Sequence, residues 1–363
     1  MAHIKELNAH ERPPEAIRHR YKEIQKATLS EIELDKKIID LQAIDPDKLP
    51  SGISLAQWMS GEQVQPGFHQ FVRAYKGNQE HGDPSNKDIP VYTHRSVSGL
   101  QMIPSLLPPA VQIELLSRLL HRDLSNMEHQ TNLHLHYNIT YPGQAGNSPT
   151  KCDNISEGSD VLSFFEDNPA RVIYPKDPDV HKPLTVQQIL NRKLRWATLG
   201  GQYNWTTKEY PMERPPAFPD DVANVLHAAF PQTEAQAAIV NFYSPRDTLS
   251  PHRDVSEECD VGLISVSFGC DGLFLISHDD GKGCEIVRLR SGDAVYMDGT
   301  SRFAWHAVPR IIPGTCPEWL ADWPGSCAVD DPDASKYDRW KGWMSGKRVN
   351  LNIRQMTVMN TQS

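Results

Sequence analysis

Residues Ala238 to Asp254, AIVNFYSPRDTLSPHRD, run from an apolar strand through a turn to His252 and Asp254. Side chains two positions apart on an extended chain point the same way, so this imidazole and this carboxylate should converge on one point. Such a pair is two thirds of a 2-His-1-carboxylate site, the usual ligand set of non-haem Fe(II) oxygenases. We therefore expect a third ligand and a site for an anionic co-substrate further along the chain.

The third ligand is expected on a later strand. His306, in HAVPRI, lies at the end of a predicted strand, Arg302 to Val308, that is framed by Gly292-Asp293 and Gly299-Thr300-Ser301. His278, in the turn SHDDGKG, and His227, on a predicted helix, compete with it, but strand geometry brings neither to the first pair. A lone histidine is usually an ordinary core or surface residue, so His306 is favoured by its combination with the His-x-Asp pair and the strand pattern.

The last predicted strand carries a row of polar residues on one face. In RVNLNIRQM, alternation places these on a single side: Arg348, Asn350, Asn352 and Arg354. If that side faces the interior, the two guanidinium groups need anions, because an unpaired buried charge is costly. A dicarboxylate co-substrate would satisfy them, with Asn241 and Tyr243 as further hydrogen-bonding groups, whereas an exposed strand is the alternative.

Short strands separated by turn residues follow one another between about residues 239 and 356, which is typical of a double-sheet jelly roll. We predict an α+β fold with a double-stranded β-helix core. Residues 1–100 are predicted as an N-terminal helical extension and linker, with helical spacing over 14–42, a capping box at Ser30–Glu33 and loop-rich sequence over 45–100. Residues 101–236 should supply supporting helices, and 237–357 the jelly roll, with an ordered insertion at 313–346.

Composition limits the class of protein. The chain has 363 residues, a net charge of −9 and six cysteines without a C-x-x-C pair. No apolar run approaches the length of a membrane span, and the N-terminus lacks the apolar core of a secretory signal. We expect reduced thiols, no membrane association and a location in nucleus or cytoplasm, with the mitochondrion as an alternative. A nucleic-acid partner would have to meet a local basic face.

Five segments together resemble one known family. They are LGGQYNWTTKEYP (199–211), NFYSPRDTLSPHRD (241–254), ISVSFG (264–269), SGDAVYMDGTSRFAWHAVPRI (291–311) and RVNLNIRQ (348–355). With the ligand pattern above, they look like the signature of the AlkB family of Fe(II)/2-oxoglutarate dioxygenases, and are most similar to the first AlkB homologue of eukaryotes. The resemblance covers about residues 100 to 357.

The resemblance implies a role for each site residue. His252, Asp254 and His306 would bind Fe(II). Arg348, Tyr243 and Asn350 would bind the distal carboxylate of 2-oxoglutarate, and Arg354 and Asn241 would line the metal-proximal end. Tyr203 and Trp205 would belong to a nucleotide-recognition lid; from the residues alone, these aromatic rings either stack on an unstacked base or pack on the outer face of the fold.

The implied activity is oxidative demethylation of N-methylated bases in DNA or tRNA, with O2 consumed and formaldehyde, succinate and CO2 released. The methylated base would have to be single-stranded or flipped out of a duplex. Two alternatives stay open: a dioxygenase of the same class that hydroxylates or demethylates protein, and a non-catalytic jelly-roll binding module with structural histidines. Protein partners are not predicted.

Overall fold

Two β-sheets form the core of the computed structural model, which describes residues 7–8, 10–76, 87–143, 162–204, 210, 215–257, 259–325 and 334–357. Strands are numbered in chain order. The larger sheet runs, in spatial order, β2 (Ile53–Met59), β3 (Ile89–His94), β4 (Val97–Ile103), β13 (Ala294–Met297), β10 (Leu263–Gly269), β15 (Arg348–Arg354), β8 (Ala237–Tyr243) and β7 (Trp196–Gly200). The smaller runs β1 (Ile38–Asp40), β12 (Cys284–Leu289), β11 (Gly272–Ser277), β14 (His306–Ile311) and β9 (Leu249–His252).

The two sheets pack through a shared apolar layer, as the predicted jelly roll requires. Phe274, Ile276 and Val287 from the smaller sheet cluster with Leu263 and Val295 from the larger one. Strand β10 is buried along its whole length, because it lies in the middle of the larger sheet between β13 and β15. A small separate ribbon pairs β5 (Val172–Ile173) with β6 (Leu184–Thr185).

Seven α-helices surround the sheets in the described part of the chain. They are α1 (Glu15–Lys26), α2 (Leu29–Leu34), α3 (Gly61–Lys76), α4 (Pro109–Ser117), α5 (Val186–Gln188), α6 (Asp220–His227) and α7 (Glu318–Ala321). Helix α4 continues into a π-helical turn, Arg118–Arg122. Within the described residues, no helix combines the length and the apolar character that crossing a membrane requires.

The N-terminal prediction is partly wrong. Helices α1 and α2 form, but the capping box uses Thr28 and Glu31, whose side chains each accept from the other's backbone N–H at 3.2 and 2.7 Å. Helix α2 ends at Leu34, and β1 then pairs in parallel with β12. Both Thr28 and Ser30 lie ahead of glutamates, and the start at Thr28 places Ile32 in the core.

The predicted linker over 45–100 is also wrong, because it contains β2, α3, β3 and the beginning of β4. The β2–β3–β4 meander joins the jelly roll where β4 pairs with β13, and it buries Val91, Tyr92 and Leu100. These residues form strands because they pair with one another and, through β4, with a distant segment of the chain, which local composition does not predict. The larger sheet consequently takes strands from all three predicted segments.

The strand that contains His306 begins later than predicted, and the described part of the 313–346 insertion is packed against the fold. The strand predicted to begin at Arg302 begins at His306, after a 3₁₀ helix over Gly299–Phe303. The described part of the 313–346 insertion is ordered and packs, since Trp323, Trp340 and Trp343 are buried around Phe165.

Candidate metal and co-substrate site

The two histidines meet because their strands pair. Strand β9 ends at His252, β14 begins at His306, and these residues are directly opposite each other in the antiparallel ladder. Asp254 follows two residues later, with Oδ1 at 3.6 Å from His252 Nε2 and Oδ2 at 3.9 Å from His306 Nε2. One ligand atom from each residue lies within 4.8 Å of the others. The cluster thus has the donor types and spacing for one metal ion with open positions.

Backbone carbonyls fix both imidazoles. The Nδ1 of His252 lies 2.9 Å from the carbonyl of Ser250, and the Nδ1 of His306 lies 3.0 Å from that of Ala304. A carbonyl only accepts, so each Nδ1 carries the proton and each Nε2 presents its lone pair to the cluster. Burial and the neighbouring His252 lower the pKa of His306 to about 4, which keeps this ring neutral at physiological pH.

Asp254 is held as a carboxylate by surrounding cations. Burial opposes its ionisation, but the charge of the Arg354 guanidinium favours the carboxylate, and the pKa of Asp254 lies well below its ordinary value. Arg354 Nη2 donates to Asp254 Oδ2 at 2.6 Å, and Arg302 Nη1 donates to the backbone carbonyl of Asp254 at 2.9 Å. An ionised carboxylate beside the neutral imidazole of His306 matches the ligand state that a divalent metal requires.

Arg348 has the properties of an anion-binding group. Its side chain is about 1% exposed, and Nη2 donates to Ser267 Oγ at 3.0 Å. Among the described residues, its Nε and Nη1 have no partner, nor does the buried hydroxyl of Tyr243, whose ring lies 5.4 Å from the guanidinium. Burial lowers the pKa of Arg348 and raises that of Tyr243 to about 12. Unfilled donors of this kind fit a ligand carboxylate.

The remaining predicted co-substrate residues lie along the same strands. Asn350 is opposite Asn241 in the β15–β8 ladder, and its Nδ2 donates to Ser265 Oγ and to the carbonyl of Val266, both at 2.9 Å. That amide group is therefore already engaged with β10. Arg354 Nη1 is buried without a partner in the described chain, which leaves a donor at the metal end for a second carboxylate.

Of the two predicted lid residues, Tyr203 and Trp205, the structure describes Tyr203. Trp205 lies outside the described residues. The Tyr203 ring lies 5.1 Å from that of Tyr210, and burial raises the pKa of Tyr203 against the opposing effect of its hydrogen bond with Ser256. A cavity of 1140 Å³ adjoins this region and is lined by Gln202, Tyr210 and Ser256 among others.

Sequence reasoning missed the ionic groups behind the ligands. Glu257 Oε2 accepts from Arg302 Nη2 at 2.8 Å, and Glu257 Oε1 pairs with Arg354 Nε at 2.9 Å. Both carboxylate oxygens therefore bind arginines that also hold Asp254. The signal in the sequence is an arginine in the apolar stretch before His306 and a glutamate three residues after Asp254.

Comparison with known proteins agrees with this geometry. Residues 99–354 match the model of the 2OG-Fe(II) oxygenase superfamily. The chain is 46% identical to the N6-methyladenosine RNA demethylase ALKB1 of Pyricularia oryzae, over 97% of this chain and 98% of that protein. It is 50% identical to the N6-methyladenosine RNA demethylase ALKBH of Cryphonectria parasitica, over 62% and 99%.

A third relative is the tRNA demethylase abh1 of Schizosaccharomyces pombe, 36% identical over 73% of this chain and 82% of that protein. The matched family uses Fe(II), 2-oxoglutarate and O2, and the His-Asp-His cluster supplies the donor set for its metal. The protein is therefore a member of the 2OG-Fe(II) oxygenase superfamily and, within it, of the AlkB family.

Proposed function

We propose that this enzyme is an oxidative demethylase of N-methylated bases in nucleic acid, and that methylated RNA is its main substrate. The observation that carries the proposal is the His-Asp-His cluster at β9 and β14 of the smaller sheet, together with Arg348, a buried arginine on β15 of the larger sheet whose Nε and Nη1 have no partner among the described residues. Similarity to two proteins named N6-methyladenosine RNA demethylases, one along nearly the whole chain, favours RNA over DNA and over protein.

The proposed roles follow from the geometry. His252, Asp254 and His306 hold Fe(II) through the atoms that face one another. Arg348 and Tyr243 bind the distal carboxylate of 2-oxoglutarate, with Asn350 securing the strand beside them. Arg354 and Asn241 line the metal-proximal end of the co-substrate site. There the Nη1 of Arg354 is a hydrogen-bond donor that has no partner among the described residues.

The bound metal supplies the oxidising chemistry that uses O2 to convert 2-oxoglutarate to succinate and CO2 and to hydroxylate the N-methyl carbon. The hydroxymethyl product then breaks its N–C bond, which releases formaldehyde and returns a proton to the base nitrogen. The protein must meanwhile hold the methyl group beside the ligand cluster. The cavity lined by Tyr210 and Ser256 has room for a base that has left its stack, and Ser256 is two residues from Asp254 along the chain.

Substrate class is tested by succinate and formaldehyde release across matched oligomers. The purified protein would be given Fe(II), ascorbate and 2-oxoglutarate with RNA containing N6-methyladenine, methylated tRNA, single-stranded DNA with the same modified base, or a methylated peptide. The proposal predicts the greatest turnover with methylated RNA or tRNA and none with His252→Ala. Turnover on the peptide alone would support the protein-directed alternative, and absence of an iron chelate would support a binding module.

We also propose that the protein acts where a nucleic-acid substrate is found, in the nucleus or cytoplasm, with the mitochondrion as an alternative. Microscopy of a fluorescent fusion would assign nucleus, cytoplasm or mitochondrion, and a secreted product would contradict it.

A further inference from the structure

The first two proposed ligands, His252 at the end of β9 and Asp254 just beyond it, are separated by one residue that contacts the segment of the third ligand. Arg253 lies between His252 and Asp254, and its guanidinium carbon lies 4.5 Å from the centre of the Trp305 ring. Trp305 directly precedes His306, the third ligand. One cation–π contact therefore joins the segment that carries the first two ligands to the segment that carries the third.

The N-terminal extension completes this contact. Glu11 forms an ion pair with Arg253, whose side chain is about 13% exposed. The Nε of Arg253 is buried and has no partner among the described residues, so Glu11 and the Trp305 ring provide its counterion and its packing surface. Glu11 is itself about half exposed.

Helix α1 holds this arrangement against the smaller sheet. Its buried face, Ile17, Tyr21 and Ile24, packs in one cluster with Trp305 and Ala307. Arg310 Nη1 on β14 donates to the carbonyl of Gln25 at 2.9 Å. On its other side, Trp305 exchanges hydrogen bonds with Ser277, from its N–H to Oγ at 3.0 Å and from Ser277 N–H to its carbonyl at 2.8 Å. The tryptophan is thus fixed from both sides.

We propose that the N-terminal extension is part of the support of the metal centre: Glu11 holds Arg253 on Trp305, and this clamp sets the relative position of the three ligands. Glu11 and Arg253 are positioning residues, since neither is a ligand. The physical reason is that metal affinity depends on ligands being held near their bound geometry before the metal arrives. This inference rests on the proposed ligand assignment but not on the choice of substrate.

The test uses Mn(II) as the probe and the full-length chain, with affinity measured by isothermal titration in the absence of nucleic acid. Glu11→Gln should weaken Mn(II) binding by about threefold, less than the roughly tenfold or more found for buried partners of metal ligands. The matched control is Glu33→Gln. Glu33 is in the same extension and pairs with Arg288 at 3.0 Å, with exposures of 54% and 12% against 52% and 13% for Glu11 and Arg253. It should leave Mn(II) affinity unchanged.

Arg253→Met separates the clamp from simple charge effects. Removal of a positive charge beside a cation site would by itself strengthen Mn(II) binding, whereas loss of the clamp should weaken it by about tenfold. In the Arg253→Met background, Glu11→Gln should have no additional effect, because the two residues act through the same contact. Circular dichroism would confirm that each variant is folded. If Arg253→Met does not fold, Arg253→Lys takes its place, because lysine keeps the positive charge but lacks the planar guanidinium that lies on Trp305, and it should also weaken Mn(II) binding.

Two results would overturn the clamp: equal Mn(II) affinities for Glu11→Gln and Glu33→Gln, or tighter binding by folded Arg253→Met. His252→Ala separates these from a failure of the ligand assignment. If this variant still binds Mn(II) normally, the proposed ligand set is wrong and the clamp fails with it; if it loses Mn(II), the outcome of the Glu11 comparison applies to the clamp alone.

Discussion

His252 and His306 occupy opposing positions of the β9–β14 ladder, with ring centroids 4.3 Å apart. Backbone pairing thus sets the separation of the two imidazoles, and Asp254 completes the cluster from the turn that follows. The fold positions the donor atoms before any metal binds, which limits the reorganisation needed on binding.

Replacement of His306 should remove metal binding without unfolding the protein. We expect His306→Ala to weaken Mn(II) affinity by at least about 100-fold, because loss of a ligand should exceed the cost of losing an outer partner. Its matched control is His278→Ala, since His278 is bonded to Glu285 away from the cluster. Isothermal titration would measure both, and comparable affinities for the two variants would contradict the ligand assignment.

Arg348 should strengthen the binding of 2-oxoglutarate and lower the free energy of unfolding of the protein without ligand. Arg348→Met removes a buried guanidinium with two unfilled nitrogens, so the free energy of unfolding without ligand should stay unchanged or rise by about 1–2 kcal/mol. The thermal stabilisation by 2-oxoglutarate should disappear in the same variant. Chemical denaturation and thermal melts would measure these effects. A strongly destabilised variant that still responds to 2-oxoglutarate would show that Arg348 is structural.

Tyr203 should affect nucleic-acid binding alone. We expect Tyr203→Ala to raise KM for methylated RNA by about tenfold, as expected for loss of one aromatic stacking partner, with KM for 2-oxoglutarate unchanged. Tyr174→Ala is the control, because Tyr174 is an exposed tyrosine outside the predicted lid. Steady-state kinetics would separate the two constants. Equal RNA constants for both variants would assign Tyr203 to packing.

His121 should make the stability of the insertion contact depend on pH. Its ring lies 4.6 Å from Tyr337 and 5.2 Å from Trp323, and burial lowers its pKa from 6.5 to about 4. Between these values the unfolded chain binds the proton and the folded chain does not, so stability falls as pH decreases from about 6.5 to 4.

The variant His121→Phe should lack this contribution. Its free energy of unfolding should therefore fall by about 2 kcal/mol less than that of the wild type as pH decreases from 6.5 to 4. Denaturation of metal-free protein across this range would measure it, with His278→Phe as a control at a half-buried histidine that lies outside the insertion contact. An identical slope for the wild type and His121→Phe would mean that His121 takes up its proton in the folded state.

The site could largely be anticipated because its signals are local. Alternation along β15 puts Arg348 and Arg354 on one face whatever that strand pairs with, and the two-residue spacing brings Asp254 to His252 although Asp254 lies just beyond the end of β9. The position of His306 required a further inference about strand order, and the ladder with His252 brings it to the cluster.

Other features are invisible locally. Strands β2 and β3 and the start of β4 were predicted as linker, because they are ordered as a meander that joins the sheet through the pairing of β4 with β13, some 200 residues later in the chain. The ion pair between Glu11 and Arg253 joins equally distant segments, and no periodicity reports such a contact. The predicted capping box was wrong for a different reason. Two overlapping Ser/Thr-x-x-Glu patterns fit the rule, and the start at Thr28 is the one that buries Ile32.

The most direct test of the proposed activity is the ratio of methyl groups lost from RNA to formaldehyde and succinate formed. Mass spectrometry of N6-methyladenine in a defined RNA would be combined with assays of both small products in the same reaction. Demethylation by this site predicts that methyl loss and formaldehyde agree and that substrate-dependent succinate matches them at about one to one, with all three absent in His252→Ala. Succinate that does not increase with methylated RNA, or methyl loss that persists in His252→Ala, would contradict it.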